Sequence, residues 1–491
     1  MVVGVKRSNR SASRNLGHYP HVSKQGGNFM GILKHSRGRR VALLTVGLVA
    51  ALSVFAVACG GGRSDSSGGT TTVKASSATD FGTMKSPCGK GDAKGATAQG
   101  VTDTSITIGY GDDAGYAAAP GLNKEMSDAI KAMIKWCNDQ GGINGRQVVG
   151  NYGDAAIMNV ANVMTEACSK VFMLVGEGWS LDSAQETIRQ GCKLAAVPTY
   201  TVSPQFANAP LMVQPTPNPG DYKDAGSAFL LADKFPTAVK KAATMYANYA
   251  ATVDSTDKWV AASKVAGWNY LDCAQVYNIG GESNWTPFVQ RLKDCGAEAV
   301  YFSGSPAPNF ENILDASKAI GYNPIWVNEA NFYDTAFAKW NTAGNGDNVY
   351  VMMAYYPFEQ ADKVPATAKY LEIVKANGGS TSLLGAQATA AFLLWAQGAQ
   401  SCGSTLTSDC VLTNLKKVVN YTSGGLQSPT NPGTNIPGEC MMVLKLTGTK
   451  YEQVLPTTIA TQACDPKYLV KITGPVVDRA KLDSNRIAAL S

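Results

Sequence analysis

Histidine is almost missing from this chain: three occur in 491 residues, His18, His21 and His35, all within the first 58. The body after residue 58 therefore has no imidazole to serve as general base or metal ligand, which argues against most hydrolase triads and zinc sites. It also has no Cys-x-x-Cys pair, no P-loop and no G-x-S-x-G elbow. Ser255 to Lys258 spells S-x-x-K, but the S-D-N and K-T-G companions of that motif are absent and the match reads as chance. Charge is scarce as well, at 16% of residues. The formal charge of +6 comes from the N-terminus, where residues 1–58 hold nine Lys and Arg and no acid. The 43 basic residues less those nine, set against 37 acidic ones, leave the rest of the chain at −3. A basic nucleic-acid binder is excluded on that balance. What remains is 45% hydrophobic and 9% aromatic, enough for a sizeable core.

Long apolar runs are also rare. The one at the N-terminus, Val41 to Ala58, follows the basic cluster Arg37, Arg39, Arg40 and ends in small residues. A basic segment, an apolar segment and a small-residue end describe a secretory signal, though eighteen apolar residues also approach the length of an uncleaved membrane helix. Ala56, Val57, Ala58, Cys59 resembles a bacterial lipobox, which implies that Cys59 is acylated and becomes the mature N-terminus. Residues 1–58 then form a lipoprotein signal peptide, and the Gly, Ser and Thr-rich residues 59–87 a flexible tether.

Eleven cysteines less Cys59 leave ten, an even number on the oxidising side of a membrane. Neighbour pairing gives Cys88 with Cys137, Cys168 with Cys192, Cys273 with Cys295, Cys402 with Cys410, and Cys440 with Cys464; sequence alone leaves other connectivities open. No metal and no cofactor is expected.

From Ser105 onward, short apolar runs alternate with helical periodicities. Strands are expected at 105–110, 147–152, 171–175 and 194–198, with helices between them. The alternation restarts at Ala242 and runs through strands at 273–277, 299–303, 324–328 and 349–353. Uninterrupted apolar strands between helices indicate parallel sheets covered on both faces, hence two doubly wound α/β lobes with a cleft between them. Two long helices follow around 366–375 and 384–400, then a hairpin within 440–454.

Three phrases carry a family resemblance: GVTDTSITIG at the start of the body, WCNDQGGINGRQV after its first helix, and GSPAPNFENILDASKAIGYNPIWVNE in the second series. Over residues 100–480 the chain resembles the substrate-binding proteins of branched-chain amino acid ABC transporters. The resemblance implies the type I periplasmic-binding-protein fold, two lobes joined by three hinge crossovers. It divides the chain into a first lobe of 88–219 plus 348–430, a second of 220–347 plus 431–480, and a tail of 481–491. It further implies a non-enzymatic protein that binds a small, amino acid-like solute by lobe closure. Such a protein would sit on the outer face of the cytoplasmic membrane through its lipid anchor and deliver the solute to permease subunits. A receptor component of the same fold and, less well supported, a secreted hydrolase are the alternatives.

Amino-acid binders of this family hold the carboxylate with first-lobe hydroxyls and backbone N–H groups, and the ammonium with a second-lobe acid. Carried over, Ser180 and Thr201 are the hydroxyl donors, with Tyr200 as the substitute for Thr201, and Glu329 meets the ammonium. Tyr246, Asn248 and Ser305 end strands of the second lobe. Asp112, Asp113 and Tyr116 after the first strand, with Trp179, are the candidate lining of a site for a different solute, and a solvated loop is the first reading for the two aspartates. The bland reading gives Ser180 and Thr201 to helix capping and Glu329 to a solvated loop.

Overall fold

The computed structural model describes residues 77–490. Cys59, the signal segment and most of the Gly, Ser and Thr-rich stretch lie outside the described residues.

The first lobe opens with β1 (Ser105–Asp112), α1 (Lys124–Asp139), β2 (Gln147–Asp154), α2 (Val160–Lys170), β3 (Met173–Val175), α3 (Glu186–Gly191), β4 (Ala196–Val197) and α4 (Pro204–Ala207). Its strands form a parallel sheet in the order β2-β1-β3-β4. The chain then enters the second lobe through β5 (Tyr222–Asp224) and α5 (Gly226–Lys234). There follow β6 (Ala242–Ala247), α6 (Ala250–Val265), β7 (Gln275–Tyr277), α7 (Thr286–Asp294), β8 (Ala299–Ser303), α8 (Glu311–Ala319), β9 (Ile325–Asn328), α9 (Thr335–Trp340) and β10 (Val349–Met353). Helices α10 (Pro365–Ala376), α11 (Leu383–Gln400) and α12 (Ser408–Leu415) return to the first lobe, where α11 packs along α1. The chain ends with the hairpin β11 (Cys440–Thr447) and β12 (Lys450–Leu455), then β13 (Ala463–Cys464), β14 (Leu469–Lys471) and α13 (Pro475–Ala480). The second sheet runs β12-β11-β10-β9-β8-β6-β7, parallel from β7 to β10 and antiparallel at β11 and β12. This is the two-lobed α/β architecture that the alternating pattern predicts.

Two boundaries differ from the sequence division. A cut at 347/348 assigns Val349–Met353 to the first lobe, whereas this fully buried strand pairs with Trp326–Asn328 and extends the second sheet. The chain leaves that lobe only after Met353, because an all-apolar strand is buried most completely between two others. The low apolar content predicts a flexible tether up to residue 87, yet Phe81 is fully buried, edge-on to Trp136 at 6.2 Å. One aromatic side chain supplies enough apolar area to hold a short segment down. Part of the 481–491 tail is likewise held, by Arg486 on Asp221 at 2.6 Å.

Three crossings join the lobes, and they bond to one another. Gln427 Nε2 and Thr430 Oγ1 donate to Pro215 O at 3.0 and 2.7 Å, Ser428 N donates to Ala354 O at 2.8 Å, and the Thr216 and Tyr355 hydroxyls meet at 2.8 Å. The disulfides join Cys88–Cys137, Cys168–Cys192, Cys273–Cys295, Cys402–Cys410 and Cys440–Cys464. Each lies within one lobe.

The GGINGR phrase is a packing device. Gly142 has φ +77, and a Cβ there would lie 2.0 Å from Arg146 O. Arg146, 1% exposed, points its guanidinium at the carbonyls of Gly95, Thr102 and Gly403 at 3.0, 3.0 and 3.1 Å. It ties the loops behind the first sheet and touches no cleft residue.

Candidate functional site

In a doubly wound lobe the loops at the carboxyl ends of the strands face the ligand crevice. In the first lobe two buried carboxylates organise them. Asp113, just after β1, accepts the backbone N–H of Ile157 on Oδ1 and that of Ser180 on Oδ2, both at 2.7 Å. Asp182 accepts from Val202 N at 2.6 Å and Ser203 N at 3.0 Å. Burial pushes both carboxyls up, Asp182 to about 7, against the pull of these N–H groups. Tyr200 reaches across Gly178, where a Cβ would lie 2.6 Å from its ring, and its hydroxyl accepts from Asn123 Nδ2 at 3.1 Å. Thr201 spends its hydroxyl on Gln214 Oε1 at 2.9 Å.

The second lobe and the crossings add the charges. Trp259 of α6 stacks on Tyr301 of β8, rings 4.9 Å apart and 10° from parallel, which fixes the helix on the sheet. The preceding residue, Lys258, is thereby aimed at the crossing segment, where Nζ meets Asn218 Oδ1 at 2.6 Å and Pro219 O at 2.5 Å. Lys223 of β5 donates to both oxygens of Glu329 at 2.8 and 3.0 Å, and the Tyr301 hydroxyl adds a third bond at 2.9 Å. Burial alone would raise Glu329, but the Lys223 ammonium and these hydrogen bonds outweigh it and hold the carboxyl below its ordinary range.

These groups enclose a cleft of about 260 Å³ between the lobes. Of the residues singled out from sequence, Tyr116, Ser180, Tyr200, Thr201, Ser305 and Glu329 line it together. Trp179 does not: it is 2% exposed in the first lobe's core, its indole N–H donating to Gly153 O at 3.3 Å. Tyr246 lies within β6 and Asn248 at its exposed end, and neither lines the cleft. The next residue, Tyr249, does, because the chain turns inward only at the start of α6. Its hydroxyl is buried and has no hydrogen-bond partner among the described residues. Sequence reasoning also missed Lys223 and Lys258. A second space of about 140 Å³ continues toward the crossings and shares Tyr200, Asn218, Lys223, Glu329, Ala330 and Gln387 with the first, so the Lys223–Glu329 pair stands between the two. Among the described residues no group of three or more His, Cys, Asp or Glu is placed to hold a metal ion, and no helix is long and apolar enough to cross a membrane.

A family model described as periplasmic binding protein matches residues 105–450. No curated protein sequence matches the chain significantly. Among solved structures, the fold is similar to a fatty acid ABC transporter substrate-binding protein from Thermomonospora curvata, with 15% identity and a TM-score of 0.62 over 78% of this chain and 97% of that one. It is also similar to a branched-chain amino acid transporter substrate-binding protein from Streptococcus pneumoniae in complex with isoleucine (17% identity, TM-score 0.57, 72% of this chain and 99% of that one). A leucine-binding protein from Thermotoga maritima gives 14% identity and a TM-score of 0.58 over 71% of this chain and 97% of that one. At these identities the likeness is one of fold.

Proposed function

The chain belongs to the periplasmic binding protein family, and on that premise we propose that it captures a small organic solute between its lobes and presents it to an ABC permease. The observation that carries this reading is the cleft itself: about 260 Å³, walled by both lobes and by the crossing segments, with polar groups converging on a partly apolar lining. The space suits a solute of amino acid or amide-like size. Closure follows from differential affinity, since a solute that touches both lobes binds the closed form more tightly and shifts the population toward it. The chain alters no covalent bond of the solute in this reading.

The amino-acid version assigns the ammonium to Glu329 and the carboxylate to the loops at Ser180 and Thr201. It requires Lys223 to release Glu329, and a carboxylate donor other than the Ser180 N–H, which Asp113 already holds. The similar structures include a fatty acid ABC transporter substrate-binding protein, a leucine-binding protein and a protein in complex with isoleucine, so one architecture houses different solutes. The anchor belongs to the same proposal: acylated Cys59 and a Gly, Ser and Thr-rich spacer would hold the lobes beside the permease on the outer face of the membrane. A sensory role for the closed form is the second reading, and a neighbouring permease gene would favour transport over it.

The test is natively purified protein, denatured and analysed by mass spectrometry for released small molecules, together with small-angle scattering before and after the released solute is added back. We expect a bound solute and a compaction on its return. A protein that releases nothing and stays at one radius of gyration across a solute library would sink the reading.

A further inference from the structure

The cleft has two compartments and a waist. The larger space of about 260 Å³ and the second of about 140 Å³ meet at Lys223, Glu329, Ala330 and Gln387, and the Lys223 ammonium holds the waist by bonding both oxygens of Glu329 at 2.8 and 3.0 Å. Charge gives a solute no free handle in the larger space. Arg479 Nε holds Asp254 at 2.8 Å, and the Lys258 ammonium spends its hydrogens on Asn218 Oδ1 at 2.6 Å, Pro219 O at 2.5 Å and Asn218 O at 3.3 Å. Shape is left to select. The second space is walled by Pro217, Met352, Ala354, Pro437 and Met441, with the Tyr355 ring. Of the hydroxyls that line it, those of Thr216 and Tyr355 meet each other at 2.8 Å, and that of Thr430 donates to Pro215 O at 2.7 Å. Asp224, also in its wall, accepts Gly226 N at 3.0 Å, and burial pushes its carboxyl up to about 7, so that a proton rather than a cation neutralises it. Water confined there finds few unspent partners, and an apolar group that displaces it gains free energy. All three crossings contribute to these walls, through Thr216, Ala354 and Ser428. A solute confined to the larger space would leave this apolar chamber at the joint unfilled, which forfeits packing contacts.

We propose that the captured solute is a two-part molecule longer than a single amino acid, its polar end in the larger space and an uncharged, apolar arm passing the Lys223–Glu329 pair into the second. This deepens the solute-binding reading and rests on it. The Tyr249 hydroxyl, buried at the larger space with no hydrogen-bond partner among the described residues, supplies one bond to the polar end. The arm lies on Met352 and Met441, whose unbranched side chains adapt to chains of different shape. It also lies on the crossings, so its length is read where the lobes pivot. No charge on the arm is called for, because Lys223 and Glu329 already answer each other.

Three series of straight-chain probes of four, six, eight and ten carbons test this by calorimetric titration: carboxylates, primary amides and 2-amino acids. In the series whose polar end is accepted, affinity should rise about threefold for each methylene added between six and eight carbons, a reach beyond the leucine side chain. Pro437 lines the second space alone, and P437W should cost the eight-carbon probe about tenfold more than it costs the four-carbon probe. M441A enlarges the same space and should move the best probe from eight carbons to ten. An ammonium at the tip of the arm should weaken binding about tenfold or more. A series that stops gaining at six carbons, a P437W loss shared equally by short and long probes, or an ammonium-tipped arm that binds as well as the plain one overturns the two-part assignment and leaves solute capture standing. Where P437W does not fold, M441A decides, and an unchanged preference for length overturns the assignment. Where no probe binds, the solute released from natively purified protein is titrated into the unmodified protein and P437W: a tenfold loss at unchanged Tm supports the proposal, and equal affinity overturns it. If neither a probe nor a released solute is found, both readings fall.

Discussion

Asp113 Oδ2 accepts the backbone N–H of Ser180 at 2.7 Å, while its Oδ1 accepts that of Ile157 at the same distance. One carboxylate thus clamps the loops that follow β1, β2 and β3, and the first lobe's rim is held before any solute arrives.

Removing that clamp should be felt in stability and in binding together. Asp113→Ala leaves two N–H groups without their acceptor, at about 1–3 kcal/mol for each buried group left unsatisfied. We expect a clear fall in Tm by calorimetry and weaker solute binding, because the rim must then be ordered by the ligand. Asp113→Asn keeps one acceptor and should fall between. A variant with unchanged Tm would show that solvent replaces the carboxylate at no cost.

Glu186 and Arg189 form a pair buried in the first lobe, the guanidinium Nε on Oε1 at 2.6 Å and an Nη on Oε2 at 2.8 Å, both side chains nearly inaccessible. Arg189 also donates to Leu194 O at 2.8 Å and Pro210 O at 2.9 Å. Breaking a buried pair leaves a charge without an answer, at about 3–5 kcal/mol. Glu186→Ala should therefore destabilise the protein more than Asp113→Ala does, as read from urea melts. Loss below about 1 kcal/mol would mean that Arg189 finds water or another partner.

Glu177 predicts a pH dependence. It is fully buried, its oxygens have no hydrogen-bond partner among the described residues, and burial lifts its carboxyl from 4.5 to about 8, with Arg189 offsetting only part. The folded protein holds this proton more tightly than the unfolded chain. Its contribution is therefore intact below pH 4.5 and is lost as pH rises through about 8. Glu177→Gln cannot ionise, so it should raise stability at pH 8, by on the order of a few kcal/mol, and change it little at pH 4.5. Equal effects of the substitution at both pH values would contradict the assignment.

The acylation proposal makes a simple demand. Cys59→Ser should move the protein from the membrane fraction to the medium or soluble fraction, with unchanged solute binding. A Cys59→Ser protein that stays with the membrane would point to residues 41–58 as an uncleaved anchor.

Much of the architecture was legible because it rests on periodicity. The all-apolar strands at Val300 to Phe302 and Val349 to Met353, and the helix from Leu383 to Gln400 that is buried nearly all round, could hardly be anything else. The cleft was legible only where loops follow strands in a regular way, at Tyr116, Ser180, Tyr200, Thr201, Ser305 and Glu329. Lys258 was hidden because a lone lysine on a helix carries no signal of where it points, and that direction is set by Trp259 stacking on a distant strand. Lys223 was hidden for a related reason. It lies in a three-residue strand whose partner, Val470, comes almost 250 positions later, a pairing no local pattern announces. Tyr249 was missed by the width of one turn, since the end of β6 does not say whether the next side chain faces solvent or cleft.

The disulfides, each confined to one lobe, bear on energetics beyond stability. Cross-links within the lobes stiffen two bodies and leave the crossings as the compliant joint. If the lobes close on a solute as proposed, the change is confined to a few backbone torsions near Pro215, Ala354 and Ser428, and little of the solute's interaction energy is consumed in settling the rest of the protein. A ligand as small as the cleft admits can offer only modest interaction energy, and in this framework nearly all of it goes into bringing the lobes together.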